Sequence, residues 1–156
     1  MKQLILKLIL LALVPAFVSF TTFKESQSQE YINGSPVIWV EVVHLSGDNE
    51  VPPVNTDAKG IATLRVTQDM MLHSKVIVQK VDPVDDGMLT ASHIHIGAAG
   101  VNGGVLLFLA HDPGEFGVNM VQQLTTAQYN AILNDALYVN VHSTVYPAGL
   151  IRGQIR

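Results

Sequence analysis

TASHIHIG stands at residues 90–97, and this stretch decides how the rest of the chain is interpreted. In an extended strand, successive side chains point to opposite faces of the sheet. His93 and His95 therefore share one face, and Ile94 and Ile96 share the other. Alternation of this kind is typical of a strand with one buried face. The stretch predicts a strand that carries two imidazoles on the side away from its apolar face.

A second stretch with the same alternation, LYVNVHS, stands at residues 137–143. Its aliphatic residues share one face, and His142 lies on the opposite, polar face. If the two predicted strands lie close together, the imidazoles of His93, His95 and His142 converge. Three convergent imidazoles are a candidate metal site.

The remaining sequence is divided into short apolar stretches by turns rich in glycine, proline and aspartate. Residues 36–45, 62–67 and 71–81 alternate in polarity and predict three further strands, and residues 150–155 predict a closing strand. In the first of these, His44 shares the parity of the aliphatic residues at 38, 40 and 42. We therefore expect His44 at a partly buried strand end.

One helix is expected, over residues 125–135. Thr125 as N-cap and Gln128 three residues later match a capping box. Residues 105–109 form a continuous apolar run, which predicts a strand buried on both faces. Short strands with one small helix predict an all-β fold, an antiparallel, Greek-key-like β-sandwich.

The amino terminus has the pattern of an export signal. Lys2 and Lys7 precede an uncharged, apolar run at residues 8–20, so residues 1–23 are interpreted as a signal peptide. Pro15 and the short run argue against a stable membrane span, which needs about 20 apolar residues, although an uncleaved anchor stays open. Residues 24–35 predict a flexible lead-in and residues 36–156 the folded domain. The expected location is secreted, periplasmic or in the cell envelope.

The charge balance argues against a nucleic-acid partner. The chain has nine Lys and Arg against 13 Asp and Glu, a net charge of −4. Removal of residues 1–23 takes away two lysines and no acid, which moves the net charge to −6. A phosphate-binding surface needs clustered bases. The sequence has no cysteine, so it offers neither a disulfide nor a thiolate ligand.

The three histidines admit two interpretations. Neutral imidazole suits copper and zinc; without thiolates, intrinsic affinity favours Cu(II) and availability favours zinc. Alternatively, the histidines form hydrogen bonds with carbonyl groups or neighbouring side chains beneath a loop. Arg152 either shares their polar face and steers anions or is a surface charge. The sequence has no Gly-x-Ser-x-Gly elbow and no catalytic cysteine, which argues against a hydrolase with an activated nucleophile. The leading expectation is a non-enzymatic protein.

Three blocks of the sequence together form one pattern: LSGDNEVPPV at residues 45–54, ASHIHIGAAGVNG at residues 91–103, and residues 137–155, which contain LYVNVHS and PAGLIRGQI. In order and spacing they resemble the CHRD (chordin-type) domain family. The resemblance spans residues 36–156 and implies an extracytoplasmic β module. Such domains are repeated in the chordin antagonists of bone morphogenetic proteins. A single copy behind a signal resembles the bacterial exported form, to which growth-factor antagonism does not transfer.

A weaker likeness is to the copper site of copper/zinc superoxide dismutase, another β-sandwich. Its His-x-His strand and later Val-x-His strand supply copper ligands, which would correspond here to His93, His95 and His142. The sequence offers no histidine to bridge two metals, no zinc-ligand cluster and no disulfide pair. The likeness therefore implies a mononuclear site at most.

Three functions follow as hypotheses. The first is an exported binding module that holds a transition metal, copper before zinc, at His93, His95 and His142. The second is a module that binds a protein or glycan outside the cell without metal. The third is a superoxide-handling copper enzyme.

Overall fold

The computed structural model describes residues 28–156. The predicted signal peptide and the first part of the predicted lead-in lie outside the described residues. The strands are β1 (Tyr31–Ile32), β2 (Ser35–Ser46), β3 (Lys59–Thr67), β4 (Met71–Gln79), β5 (Leu89–Ile96), β6 (Val105–Ala110), β7 (Met120–Gln123), β8 (Leu137–Ser143) and β9 (Ile151–Gln154). One α-helix, α1, spans Thr126–Asn134.

The main strands form one antiparallel sheet that curls until it is nearly closed. Its order is β6-β5-β8-β9-β2-β3-β4-β7, and β1 pairs with β2 outside this path. The histidine half is the run β6-β5-β8-β9, and the amino-terminal half is the run β2-β3-β4-β7. The two halves join between β2 and β9, where Ser46 lies opposite Arg152. The predicted all-β, antiparallel sandwich with one short helix is confirmed.

The core fills the space that the curled sheet encloses. Both halves contribute fully buried aliphatic side chains, which include Leu64, Val66, Leu72, Ile94, Val139 and Ile151. Full burial of such a side chain contributes about 1.5–3 kcal/mol. The chain has no cysteine, so this core has to stabilise the domain without a disulfide.

The helix begins as the sequence predicts. The Thr125 hydroxyl accepts a hydrogen bond from the backbone N–H of Gln128, and the Gln128 side chain accepts one from the backbone N–H of Thr125. Two of the N–H groups that a helix start leaves unpaired are thereby satisfied. The capping box is confirmed.

The prediction that residues 105–109 are buried on both faces is wrong. β6 is an edge strand that pairs with β5 alone, and Val105 and Phe108 are 50% and 40% exposed. Phe108 lies edge-on against His93, with ring centroids 4.3 Å apart. The outward Phe108 packs against the His93 ring, so β6 carries apolar residues on both faces although its outer face is about half exposed.

The expected burial of His44 is also wrong. On β2 the inward residues are those at odd positions, among them Val43 and Leu45, and the even positions, including His44, face outward. Both faces of this strand carry aliphatic residues, so alternation alone could not tell which one is buried.

Two short strands escaped prediction. Tyr31 and Ile32 pair with Pro36 and Ser35, so the end of the predicted lead-in joins the sheet as β1. Met120–Gln123, or β7, pairs with β4 at the other edge of the sheet. Within residues 28–156, no helix is both long and apolar enough to cross a membrane.

Candidate metal centre

The three predicted histidines lie together on the outer face of the histidine half. β5 and β8 are antiparallel neighbours, and their register places Ala91 opposite His142 and His93 opposite Asn140. The ring centroids of His93 and His142 are 4.6 Å apart, those of His93 and His95 are 5.5 Å apart, and those of His95 and His142 are 6.0 Å apart. One ring nitrogen from each residue lies within 4.8 Å of the other two.

Backbone carbonyls fix the orientation of two of the rings. The Nδ1 of His95 lies 3.0 Å from the carbonyl oxygen of Gly103, and the Nδ1 of His142 lies 3.0 Å from that of Pro147. A carbonyl oxygen only accepts hydrogen bonds, so each Nδ1 carries the proton and donates it. The Nε2 atoms of both rings therefore keep their lone pairs, which is the tautomer that binds a metal.

His93 completes the cluster through a bond to another ring. Its Nδ1 lies 2.9 Å from the Nε2 of His142 and donates to it, because that Nε2 is unprotonated. The Nε2 atoms of His93 and His95 are both buried and have no hydrogen-bond partner among the described residues. A buried polar atom without a partner is costly, so the cluster is incomplete as a hydrogen-bond network.

All three imidazoles favour the neutral form. Burial, together with charge repulsion from the neighbouring His142 and His95, lowers the pKa of His93 to about 4. Burial also lowers the pKa values of His95 and His142, although their bonds to backbone carbonyls act in the opposite direction. Neutral imidazole is the form that coordinates metal ions, so these histidines are available as ligands at pH 7 without losing a proton first.

The Arg152 side chain packs against the cluster through the Tyr138 ring. The Tyr138 ring stacks on His95, with centroids 4.8 Å apart and planes 9° apart. The Arg152 guanidinium lies 3.4 Å from the centroid of the same Tyr138 ring. Arg152 is 1% exposed, so of its two predicted placements the polar face is correct and the surface charge is wrong.

Arg152 also holds the loop at residues 97–104. Its guanidinium donates to the carbonyl oxygens of Ala98 and Val101 and to the side-chain oxygen of Asn102, at 3.0–3.1 Å. The loop in turn supplies the Gly103 carbonyl that orients His95. A Cβ at Gly103 would lie 1.6 Å from the carbonyl oxygen of Ile96, so only glycine fits where the loop crosses the end of β5.

The cluster is open on the side of β6. His93 is partly exposed, and Phe108 and His111 lie beyond it, their rings stacked with centroids 4.6 Å apart. His111 reaches this rim although its turn sequence gave no sign of it. His44 and His73 lie in the amino-terminal half, away from the cluster.

Glu50 forms a second buried polar group on the same outer face. It is 5% exposed, and its Oε2 accepts a hydrogen bond from the Asn140 amide at 3.3 Å. Burial raises the pKa of Glu50 to about 7, although the positive charge of Arg152 acts to lower it. The other oxygens of the pair, Glu50 Oε1 and Asn140 Oδ1, have no partner among the described residues.

Comparison with known proteins gives one match. The family model of the CHRD domain matches residues 42–155, which include the Glu50 segment, the His-x-His strand and the His142 strand. No curated protein and no solved structure matches the chain. The likeness to copper/zinc superoxide dismutase stays limited to the pattern of three histidines. Since the family model covers most of its length, the chain belongs to the CHRD domain family.

Proposed function

We propose that this protein is an exported, non-enzymatic binding module that holds one transition metal ion through His93, His95 and His142. Copper is favoured and zinc is the alternative. The observation that carries the proposal is the pair of buried, unpartnered Nε2 atoms on His93 and His95, beside a His142 whose Nε2 is held in the metal-binding tautomer.

The alternative of a hydrogen-bonded histidine cluster accounts for only part of the geometry. Its inter-ring bond joins His93 Nδ1 to His142 Nε2. The unpartnered Nε2 atoms stay unexplained by that bond. An ion that accepted lone pairs from all three rings would remove the cost of burying them. The bonds from His95 and His142 to backbone carbonyls match the outer-shell contacts that usually orient histidine ligands.

The ligand set decides the order of the metals. Three neutral imidazoles without thiolate or carboxylate suit Cu(II) and Zn(II), and intrinsic affinity follows the order that places copper above zinc. Three protein ligands would leave room for a further ligand on the ion, and the partly exposed His93 would place that room on the side of β6. The ion would supply a Lewis-acidic, positively charged centre at that opening, while the protein supplies its orientation and its surroundings.

Calorimetric titration with Cu(II) and Zn(II) tests the site. We expect saturable uptake of one ion per chain, and at least a tenfold loss of affinity in His95→Ala. The matched control is His44→Ala, which removes an exposed histidine of the amino-terminal half. A thermal melt of each variant checks that the fold persists. Absence of saturable uptake by the unaltered protein, or equal loss in both variants, would overturn the proposal.

Four further measurements test the identity of the ion, the amino terminus, the non-enzymatic assignment and the dependence on metal. Elemental analysis of protein purified from its native compartment identifies the ion without choosing it beforehand, and mass spectrometry of the same sample locates the amino terminus. Copper-loaded protein that removes superoxide faster than free copper in the same buffer would overturn the non-enzymatic assignment and support the enzyme instead. A protein or glycan partner captured equally with and without chelator would favour the metal-independent module.

A further inference from the structure

The amino-terminal half carries an aliphatic surface on its outer side. The aliphatic face consists of five outward side chains, each 40–52% exposed, on three neighbouring strands: Ile38, Val40, Val42, Ile61 and Ile77. Ile38, Val40 and Val42 follow one another along the outer side of β2. Val42 lies opposite Thr63, which makes Ile61 its diagonal neighbour, and Ile61 lies opposite Ile77, so the five side chains form one patch. Scattered exposed aliphatic residues are ordinary, but a contiguous patch marks an interaction surface.

We propose that the aliphatic face docks on a lipid membrane surface that carries anionic headgroups. This inference concerns a different face from that of the histidines and does not depend on metal binding.

The charges around the aliphatic face favour an anionic partner. Residues 28–156 contain six basic residues, and four of them lie on β3, on β4 or directly after β4: Lys59, Arg65, Lys75 and Lys80. Arg65 contacts Glu30 at 3.2 Å and Lys59 contacts Asp48 at 4.0 Å. Among the described residues, neither Lys75 nor Lys80 forms an ion pair. A concentration of bases in an acidic chain is complementary to anionic headgroups, whereas a second copy of the same face would place like charges together.

An open groove lies at one end of the aliphatic face. It encloses about 410 Å³, and its lining includes Ile61, Ile77, His44 and Lys59. Apolar side chains and an ammonium group therefore border the same space. This combination suits an acyl chain whose anionic headgroup stays at the surface.

The chain also enters the fold beside this face. Glu30, near the start of the described residues, contacts Arg65 on β3, on the same outer side as the aliphatic face. The apolar run of residues 8–20 ends ten residues before Glu30. Ten residues span at most about 33–36 Å. A retained leader would therefore hold the domain close to a membrane with this face nearby, and a cleaved leader would leave the face to bind through its own residues.

Single-cysteine labelling of the full chain tests the orientation, since the chain has no native cysteine. Val42→Cys places an environment-sensitive fluorophore on the aliphatic face, and Val105→Cys places it on an equally exposed valine of β6 in the histidine half. Both proteins are mixed with phosphatidylcholine vesicles that contain phosphatidylglycerol and brominated lipid. We expect bromine quenching at position 42, at least threefold greater than at position 105.

The two labelled proteins share the same leader, so a leader that merely tethers the domain leaves both positions unquenched. Such a result, or equal quenching at both positions, would overturn the proposal. Lys75→Gln combined with Lys80→Gln should weaken binding to the anionic vesicles by about fivefold for each base removed. Unchanged binding in that variant, or self-association of the unaltered protein without vesicle binding, would also overturn it.

Discussion

The Nδ1 of His93 lies 2.9 Å from the Nε2 of His142. This contact joins residues 49 positions apart in the chain and uses the nitrogen of His142 that its bond to Pro147 leaves unprotonated. An ion bound through the Nε2 of His142 would have to replace this hydrogen bond, because the same lone pair cannot serve both. In the proposed site, His93 would therefore be the ligand that reorients, whereas backbone carbonyls already orient the rings of His95 and His142.

Acid should destabilise the metal-free protein through His93. Its folded-state pKa lies near 4, below the ordinary value of 6.5. Between these values the unfolded chain binds a proton that the folded chain does not, so stability falls as pH drops from about 6.5 to 4 and is unaffected above that window. We expect His93→Asn to lessen this loss by about 1–2 kcal/mol, a value reduced for the partial exposure of the ring. Urea unfolding at pH 7.5 and pH 5 measures the loss of stability in each protein. An identical pH dependence in the two proteins would contradict the role of His93.

Glu50 should have the opposite effect. Its folded-state pKa is about 7, above the ordinary 4.5, so between these values the folded protein keeps a proton that the unfolded chain has lost. Stability therefore falls as pH rises from about 4.5 to 7 and is constant above that range. Glu50→Gln keeps the shape without the charge, and it should stabilise the protein by about 2–3 kcal/mol at pH 8 and by little at pH 4. Urea unfolding at the two pH values decides, and a destabilised variant at pH 8 would show that Glu50 is needed as an anion.

Gly149 should tolerate no side chain. It has a φ of +145°, and a Cβ there would lie 2.6 Å from both Glu50 Oε1 and the Asn140 amide nitrogen. Gly149→Ala should therefore cost more than the backbone strain alone, which is about 1–3 kcal/mol. Gly100→Ala is the matched control, because Gly100 has a φ of +77° and no atom within 4 Å of the added carbon. Equal unfolding midpoints for the two variants would show that Glu50 and Asn140 can move away from the added Cβ without loss of stability.

Arg152→Lys should weaken both the fold and the proposed site. Lysine keeps the charge but loses the planar guanidinium that bonds Ala98, Val101 and Asn102 together. We expect a loss of about 2 kcal/mol or more of stability and a tenfold or greater loss of metal affinity, because the loop that orients His95 is released. Arg65→Lys, in the amino-terminal half, serves as the control for both measurements. Normal copper affinity in a folded Arg152→Lys protein would show that metal binding does not depend on the loop that Arg152 holds.

Local patterns predicted the histidine face and the helix start. The alternation of polar and apolar residues placed His93, His95 and His142 together, because Ile94 on β5 and the aliphatic residues of β8 mark the buried side of the two strands. The capping box at Thr125 depends on residues three apart, so it too was visible in the sequence.

Long-range relations were not visible. The Glu50–Asn140 pair joins residues 90 positions apart, and the place of Arg152 behind Tyr138 depends on the order of strands in the sheet. The prediction for His44 on β2 was wrong because both faces of this strand carry aliphatic residues. The outward face is the proposed membrane surface. β1 and β7 were missed because two to four residues are too few to show a period.

Arg152 belongs to two structures at once. Its backbone lies in β9 opposite Ser46, where the two halves of the sheet meet, and its side chain stands behind the histidine cluster. An ion that immobilises the histidine rings would thereby slow the local opening of the β2–β9 strand pair. Slower amide hydrogen exchange along β2 and β9 would then report that the site is occupied, although no probe is placed on a histidine.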